Sequence, residues 1–184
     1  MAKEIKIYTV RFNSVTAGLS PVDNERIEIF FAGCKMAREG NPCPGCFNKE
    51  LWAGDSYFIE TAESICDEIE RTSDNKYVTI VGGEPMDQIE GLIELCKELQ
   101  RRNFHIVLIT HYLKDEVPQD VLNNVNMLID GKYDASQRIF ITDTRPGVNN
   151  VIGSKNQKIY CSINNVMVDI SEAENLKEYY CDYL

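Results

Sequence analysis

The chain has 184 residues, 43% of them apolar, which fits one domain with a continuous core. Its formal net charge of -10, with no local stripe of lysine and arginine to offset it, argues against direct nucleic-acid binding. The longest apolar runs are only of strand length, and the N-terminal residues lack the apolar core of a secretory signal. We therefore expect no membrane span and a cytoplasmic location.

Two strands and a long loop come first in chain order. Strands are predicted over Ile5–Arg11 and Ile27–Ala32, because both runs are rich in β-branched and aromatic residues. The second strand leads directly into Cys34. Residues 34–56 are rich in Gly, Pro, Asn and Cys and show no sustained period, so they are predicted to form a loop. Loops of this length are usually functional.

Helices and strands alternate through the middle of the chain. A helix is predicted over Thr61–Thr72 with Thr61 as its N-cap, followed by a strand over Tyr77–Val81. The next helix has a clear apolar face, and this face includes Cys96 just as the face of the first helix includes Cys66. We therefore expect both cysteines to be core residues.

The later elements extend this pattern and then change it. A strand, a helix and a second strand are predicted over Ile106–Thr110, Val117–Val125 and Met127–Asp130. The last two strands, Lys158–Ile163 and Val166–Ile170, are expected as antiparallel additions. Alternation gives parallel strands covered by helices, and there are too few units for a closed eight-stranded barrel. The prediction is an α/β fold, a partial, open (β/α) barrel, in a single domain over residues 1–184.

Three cysteines carry the strongest chemical signal. Cys34, Cys43 and Cys46 have eight residues between the first two and two between the last two. Cysteines in a chain without an export signal favour metal or redox use over disulfides. Three thiolates on one loop can bind three irons of a [4Fe-4S] cluster and leave the fourth iron open for a substrate. The alternative is a zinc-stabilised binding module, but zinc needs a fourth ligand and no second CxxC and no CxxH occurs.

The second chemical element is Val81-Gly-Gly-Glu-Pro85, where a strand meets a helix. Gly82 and Gly83 lack a Cβ and would let a ligand approach the backbone closely, and Glu84 can accept hydrogen bonds from an ammonium group. Most Gly-Gly pairs mark a plain turn. This pair indicates a binding role only because it ends the strand that follows the cysteine loop.

Candidate groups recur just after strand ends, at Cys34, Gly82, Thr110 and Asp130. Active sites in parallel α/β folds gather at that edge. His111 is predicted at the same edge, although a histidine there is more often a hydrogen-bonding loop residue than an acid or base.

Together these motifs resemble those of the anaerobic ribonucleotide reductase activating proteins, a family of the radical S-adenosylmethionine superfamily. The resemblance spans residues about 17 to 160. Its segments are Gly33-Cys34, Cys43-Pro-Gly-Cys46-Phe-Asn48, Trp52, Gly82-Gly-Glu-Pro85, Leu128-Ile-Asp-Gly-Lys-Tyr133 and Gly153-Ser-Lys-Asn-Gln157. Two departures stand out: the family usually has three residues, not eight, between its first two cysteines, and Ile152 replaces an arginine.

The resemblance implies the ligands of the site. It implies that Cys34, Cys43 and Cys46 hold a [4Fe-4S] cluster whose open iron chelates the amino and carboxylate groups of S-adenosyl-L-methionine. It also implies that the Gly82-Gly83-Glu84 turn holds the methionine moiety of that ligand. Cys46 and its neighbours Gly45 and Phe47 would contact it too.

The resemblance further implies an oxidoreductase, a glycyl radical activating enzyme. Its partners would be the glycyl radical subunit of an anaerobic ribonucleotide reductase and an electron donor such as flavodoxin or ferredoxin. The alternative within the superfamily is an enzyme acting on a small molecule or peptide, for example of the 7-carboxy-7-deazaguanine synthase type.

Overall fold

The computed structural model describes residues 2–14, 25–139, 152–174 and 176–179. Its strands are β1 (Ile5–Ser14), β2 (Arg26–Phe31), β3 (Phe58–Glu60), β4 (Tyr77–Gly82), β5 (His105–Ile109), β6 (Met127–Asp130), β7 (Lys158–Ile163) and β8 (Val166–Asp169). Its α-helices are α1 (Lys35–Arg38), α2 (Ala62–Thr72), α3 (Ile89–Arg101) and α4 (Gln119–Leu122). Short 3-10 turns cover Lys49–Leu51, Pro85–Gln88, Lys114–Glu116, Ala135–Gln137 and Leu176–Tyr179.

All eight strands belong to one mixed sheet with the order β3-β1-β2-β4-β5-β6-β7-β8. The four central strands β2, β4, β5 and β6 pair in parallel, whereas the pairs at both flanks are antiparallel. The α/β class and the antiparallel final strands are therefore confirmed. The parallel centre matters for function, because it places four strand ends at one edge of the sheet.

Helix α2 begins where the sequence predicts. The Thr61 hydroxyl accepts a hydrogen bond from the Ser64 backbone N–H at 3.2 Å, and the Ser64 hydroxyl accepts one from the Thr61 N–H at 2.9 Å. This capping box satisfies two N–H groups that the helix itself cannot. The apolar faces of α2 and α3 enter the same buried cluster as β2, β4 and β5, and this cluster includes Cys66 and Cys96, as predicted.

Three segments differ from the prediction. The predicted helix over Val117–Val125 is helical only in α4. Just past its end the Asn124 side chain takes the place of a backbone donor, since its Nδ2 donates to the Asp120 carbonyl. The cysteine loop contains the four-residue helix α1. Strand β3 was not predicted. Its residues Phe58 and Ile59 are both exposed, so the sequence shows no alternation of buried apolar and exposed polar residues there.

A second apolar cluster fills the space beneath β6 and β7 and contains Ile129, Ile159 and Ile152. Ile152, the residue that departs from the family pattern, is thus a buried packing residue. In the described part of the chain, no helix is both long enough and apolar enough to cross a bilayer.

Candidate functional site

A cleft of about 210 Å³ lies at the carboxyl ends of the parallel strands. Most of the residues predicted for the site line it, together with several that were not predicted. The predicted lining residues are Cys34, Cys43, Cys46, Phe47, Gly82, Gly83, Glu84, Thr110 and His111. Gly45 and Asp130 are not among the lining residues; Asp130 instead accepts a hydrogen bond from the Lys114 N–H at 2.7 Å.

The cysteine loop is closed on itself by backbone hydrogen bonds. The N–H groups of Gly33 and Cys34 donate to the carbonyls of Leu51 and Trp52 at 2.9 and 3.1 Å. Farther along the loop, the Asn48 side chain donates to the Gly82 carbonyl at 3.0 Å. These contacts hold the loop against the end of β4, so its cysteines face the cleft.

The local environments of Cys34 and Cys43 favour protonated thiols. Burial raises the pKa of Cys34 to about 11, and a backbone hydrogen bond from Ala37 opposes this shift. Burial also raises the pKa of Cys43, against a backbone hydrogen bond from Tyr133. Metal ligation must therefore displace protons from these thiols.

Three cysteine sulfurs line the same cleft and could each bind one iron of a cluster. Within the described residues, no group of three or more His, Cys, Asp or Glu side chains closes on one metal-ion position. Zinc would draw all its sulfur ligands to about 2.3 Å from one centre. In an iron-sulfur cube each cysteine binds a different iron, which keeps the sulfurs apart while they share one cleft.

Backbone packing requires glycine at Gly82, the last residue of β4, and at Gly83, which follows it. A Cβ on Gly83 would lie 2.0 Å from the Gly33 carbonyl oxygen, and one on Gly82 would lie 2.3 Å from the Phe31 backbone. The two backbone segments lie this close because the Gly83 N–H donates to the Phe31 carbonyl and the Glu84 N–H donates to the Gly33 carbonyl. Packing alone therefore accounts for glycine at both positions, and their contact with a ligand stays a prediction.

Glu84 joins the ends of β4 and β5. One carboxylate oxygen accepts hydrogen bonds from the Met86 N–H at 2.9 Å and the Thr110 hydroxyl at 2.7 Å. The other accepts from the His111 N–H at 2.9 Å and lies 2.5 Å from His111 Nδ1. Each oxygen thus has two protein partners, and a ligand ammonium would have to displace one of them.

Asp87 links the start of the cysteine loop to the residues after β5. Its carboxylate accepts hydrogen bonds from the Lys35 N–H at 2.5 Å and from the Tyr112 hydroxyl at 3.2 Å. Burial, with the Asp87 charge next in order, raises the pKa of Tyr112 to about 12. Sequence reasoning missed this pair, because its members lie far apart in the chain and neither belongs to a motif.

The two motif segments later in the chain, at residues 128–133 and 153–157, support the cysteine loop. Gln157 accepts from the Gly153 N–H at 3.0 Å and donates to the Gly131 carbonyl at 3.1 Å. This fixes the segment that carries Ala135, whose N–H donates to the Pro44 carbonyl at 3.0 Å. A Cβ on Gly45 would lie 2.5 Å from that of Ala135, so this glycine also serves close packing.

Three further cysteines in the described part of the chain do not line the cleft. Cys66, Cys96 and Cys161 are buried, and Cys181 falls outside the described residues. Residues 180–184 of the C-terminal tail also fall outside the described residues.

Comparisons with known proteins agree with the motif resemblance. A family described as "4Fe-4S single cluster domain" matches residues 24–160. The anaerobic ribonucleoside-triphosphate reductase-activating protein of Salmonella typhi is 26% identical over 119 residues, which cover 59% of this chain and 74% of that protein. The protein of the same name from Escherichia coli K12 is 24% identical with the same coverage. The family match contains all three cleft cysteines and the Gly-Gly-Glu-Pro turn.

Proposed function

We propose that this chain, which belongs to the 4Fe-4S single cluster domain family, is a radical S-adenosylmethionine enzyme that generates a glycyl radical on an anaerobic ribonucleotide reductase. The observation that carries the proposal is that Cys34, Cys43 and Cys46 share one cleft with the turn at Gly82-Gly83-Glu84. The names of the curated relatives support the reductase as partner. As part of this proposal, the eight-stranded sheet corresponds to the partial, open (β/α) barrel of this enzyme class.

The cysteines would bind three irons of the cluster and leave the fourth for the ligand. When bound and reduced, such a cluster would supply the electron for reductive cleavage of S-adenosyl-L-methionine, and so the oxidising power for hydrogen abstraction from the substrate. The chain itself positions the groups. Asn48 and Glu84 hold the strand ends in place, and exposed Phe47, packed at 4.6 Å on the Tyr133 ring, offers a flat apolar surface beside Cys46.

A protein substrate suits the open cleft. The cleft is bordered by loops, and the described residues include no separate substrate domain. A loop of the partner could therefore cover the site and exclude water. A glycine suits the reaction, because its Cα has no side chain to prevent approach to about 3–3.5 Å. A flavodoxin or ferredoxin would supply the electron.

Two other functions make different demands. An enzyme acting on a small molecule or peptide would use the same cysteines, and only its substrate differs. A zinc-stabilised binding module would need four ligands on one ion, and the described side chains do not provide such a group.

Anaerobic reconstitution separates the module from the enzymes. We expect about four iron atoms per chain with iron-sulfur absorbance, and 5'-deoxyadenosine formation when dithionite and S-adenosyl-L-methionine are added. One tightly bound zinc ion with no iron-sulfur absorbance would contradict the proposal.

Cysteine substitutions test the ligand set. We expect Cys34→Ala, Cys43→Ala and Cys46→Ala each to lose the cluster, because each removes a thiolate that caps one iron. Cys66→Ala and Cys96→Ala are matched controls, since both side chains are buried in the core, and they should retain it. Iron content and absorbance after reconstitution measure the effect. A full cluster in Cys43→Ala would rule out the assignment.

A further inference from the structure

Trp52 contacts two of the three cleft cysteines. Its backbone carbonyl accepts a hydrogen bond from the Cys34 N–H at 3.1 Å. Its indole Nε1–H donates to the Cys46 sulfur at 3.4 Å. The ring is partly buried and lines the cleft, so the contact lies where a cluster would be bound. It is the one tryptophan in the sequence.

The other two sulfurs also have N–H partners, but these belong to the backbone. Ala37 supplies the N–H for Cys34, and Tyr133 supplies the one for Cys43. The Trp52 donor differs in kind, because a side-chain substitution can remove it while the carbonyl that binds the Cys34 N–H is kept.

We propose that Trp52 is a positioning residue whose indole N–H, bonded to the Cys46 sulfur, raises the reduction potential of the cluster. One-electron reduction adds negative charge to the cluster and its ligand sulfurs, and an N–H donor stabilises the more negative state more strongly. Hydrogen bonds to ligand sulfurs are one of the general means by which proteins set such potentials. The inference rests on the proposed ligation by Cys46.

Trp52→Phe tests the inference, because it keeps an aromatic ring and the backbone carbonyl but removes the N–H donor. We expect a normal iron content and a more negative midpoint potential in a redox titration of the reconstituted protein, followed by electron paramagnetic resonance. The ratio of oxidised to reduced cluster at a fixed potential should change on the order of tenfold, which is about 59 mV for a one-electron couple. Tyr57→Leu, which alters an exposed aromatic ring that faces the Lys6 ammonium group and does not line the cleft, is the control and should leave the potential unchanged.

A spectroscopic signature complements the potential. Since the chain has one tryptophan, labelling with ¹⁵N-indole tryptophan marks Trp52 alone. Pulsed electron paramagnetic resonance of the reduced, labelled protein should show a ¹⁵N coupling to the cluster. This experiment needs no substitution, so it tests the contact between the Trp52 indole and the cluster even where Trp52→Phe fails to assemble a cluster.

The outcomes separate the inference from the proposed function. Full clusters in both proteins with equal potentials, or an unsubstituted labelled protein without the ¹⁵N coupling, would overturn the role of Trp52 only. An unsubstituted protein that binds no cluster would overturn the proposed function and this role with it.

Discussion

At the residue scale, the cleft depends on close contacts between segments that are distant in the sequence. Glu84 is 1% exposed and has four protein partners, two of which come from His111. Gly83 touches the backbone of Gly33, next to Cys34. Both residues therefore contribute to folding as well as to any ligand contact, and their substitutions must be interpreted with a measurement of stability.

Replacing Glu84 with glutamine should lower the free energy of unfolding by about 1–3 kcal/mol, because the amide nitrogen would face N–H and O–H donors that now meet an acceptor. Denaturant unfolding measures this. Glu90→Gln, at a side chain 70% exposed, is the matched control and should change stability far less than Glu84→Gln. Equal stability of the two variants would contradict the hydrogen bonds assigned to Glu84.

Gly83→Ala should impair both folding and cluster assembly, since its Cβ would meet the Gly33 carbonyl oxygen at 2.0 Å. Gly40→Ala is the control: a Cβ there meets nothing within 4 Å, and only its φ of +84° opposes the change, at a cost of about 1–2 kcal/mol. Thermal unfolding and iron content would be measured together. If the two variants behave alike, backbone packing is not the reason for glycine at position 83.

At the element scale, periodicity and capping predict the regular structure well. The bounds of β6 and β7 match the prediction, and Thr61 caps α2 as expected. The cysteine loop and the Gly-Gly-Glu-Pro turn were also identified, because each is a contiguous motif. The bond of Trp52 to Cys46 was not predicted, since the sequence gives the order of residues but not the direction of a side chain. Contacts such as Glu84 with Thr110 depend on strand order, which tertiary packing decides.

Thr61→Ala should lower the free energy of unfolding by about 0.5–2 kcal/mol through loss of the cap of α2. Thr61→Ser keeps the hydroxyl acceptor and should keep most of the stability. Chemical denaturation of the three proteins provides the comparison. A serine variant as unstable as the alanine variant would show that packing of the threonine methyl group, not the cap, is responsible.

At the scale of the whole molecule, the two ends of the parallel strands serve different purposes. The carboxyl ends form the cleft, whereas His105 and Arg26 are buried at the opposite end, with Arg26 Nη1 lying 3.3 Å from His105 Nδ1. Burial, and then the Arg26 cation, lowers the pKa of His105 to about 3. This opposite end therefore makes stability depend on pH without taking part in the chemistry of the cleft.

The sign of that dependence follows from the lowered pKa. Below a pH of about 6.5 the unfolded chain binds a proton at His105, whereas the folded chain does not bind it until the pH nears 3. The free energy of unfolding should therefore decrease as the pH is lowered from about 6.5 towards 3. His105→Gln should give a flatter slope between about pH 6.5 and 5, where carboxylates contribute little because they titrate near pH 4. Tyr77 and Arg26, which face the ring, stay in both proteins. Parallel slopes would contradict the burial of a neutral histidine.

The activase function is tested most directly by electron paramagnetic resonance on an anaerobic mixture of the reduced, reconstituted protein, S-adenosyl-L-methionine and the glycyl radical subunit of an anaerobic ribonucleotide reductase from the same organism. The Cys43→Ala protein serves as the control and should give no signal. With the unsubstituted protein we expect a glycyl doublet and a matching amount of 5'-deoxyadenosine. Formation of 5'-deoxyadenosine without a glycyl radical, while a small pterin-like or peptide substrate is consumed instead, would contradict the proposed function.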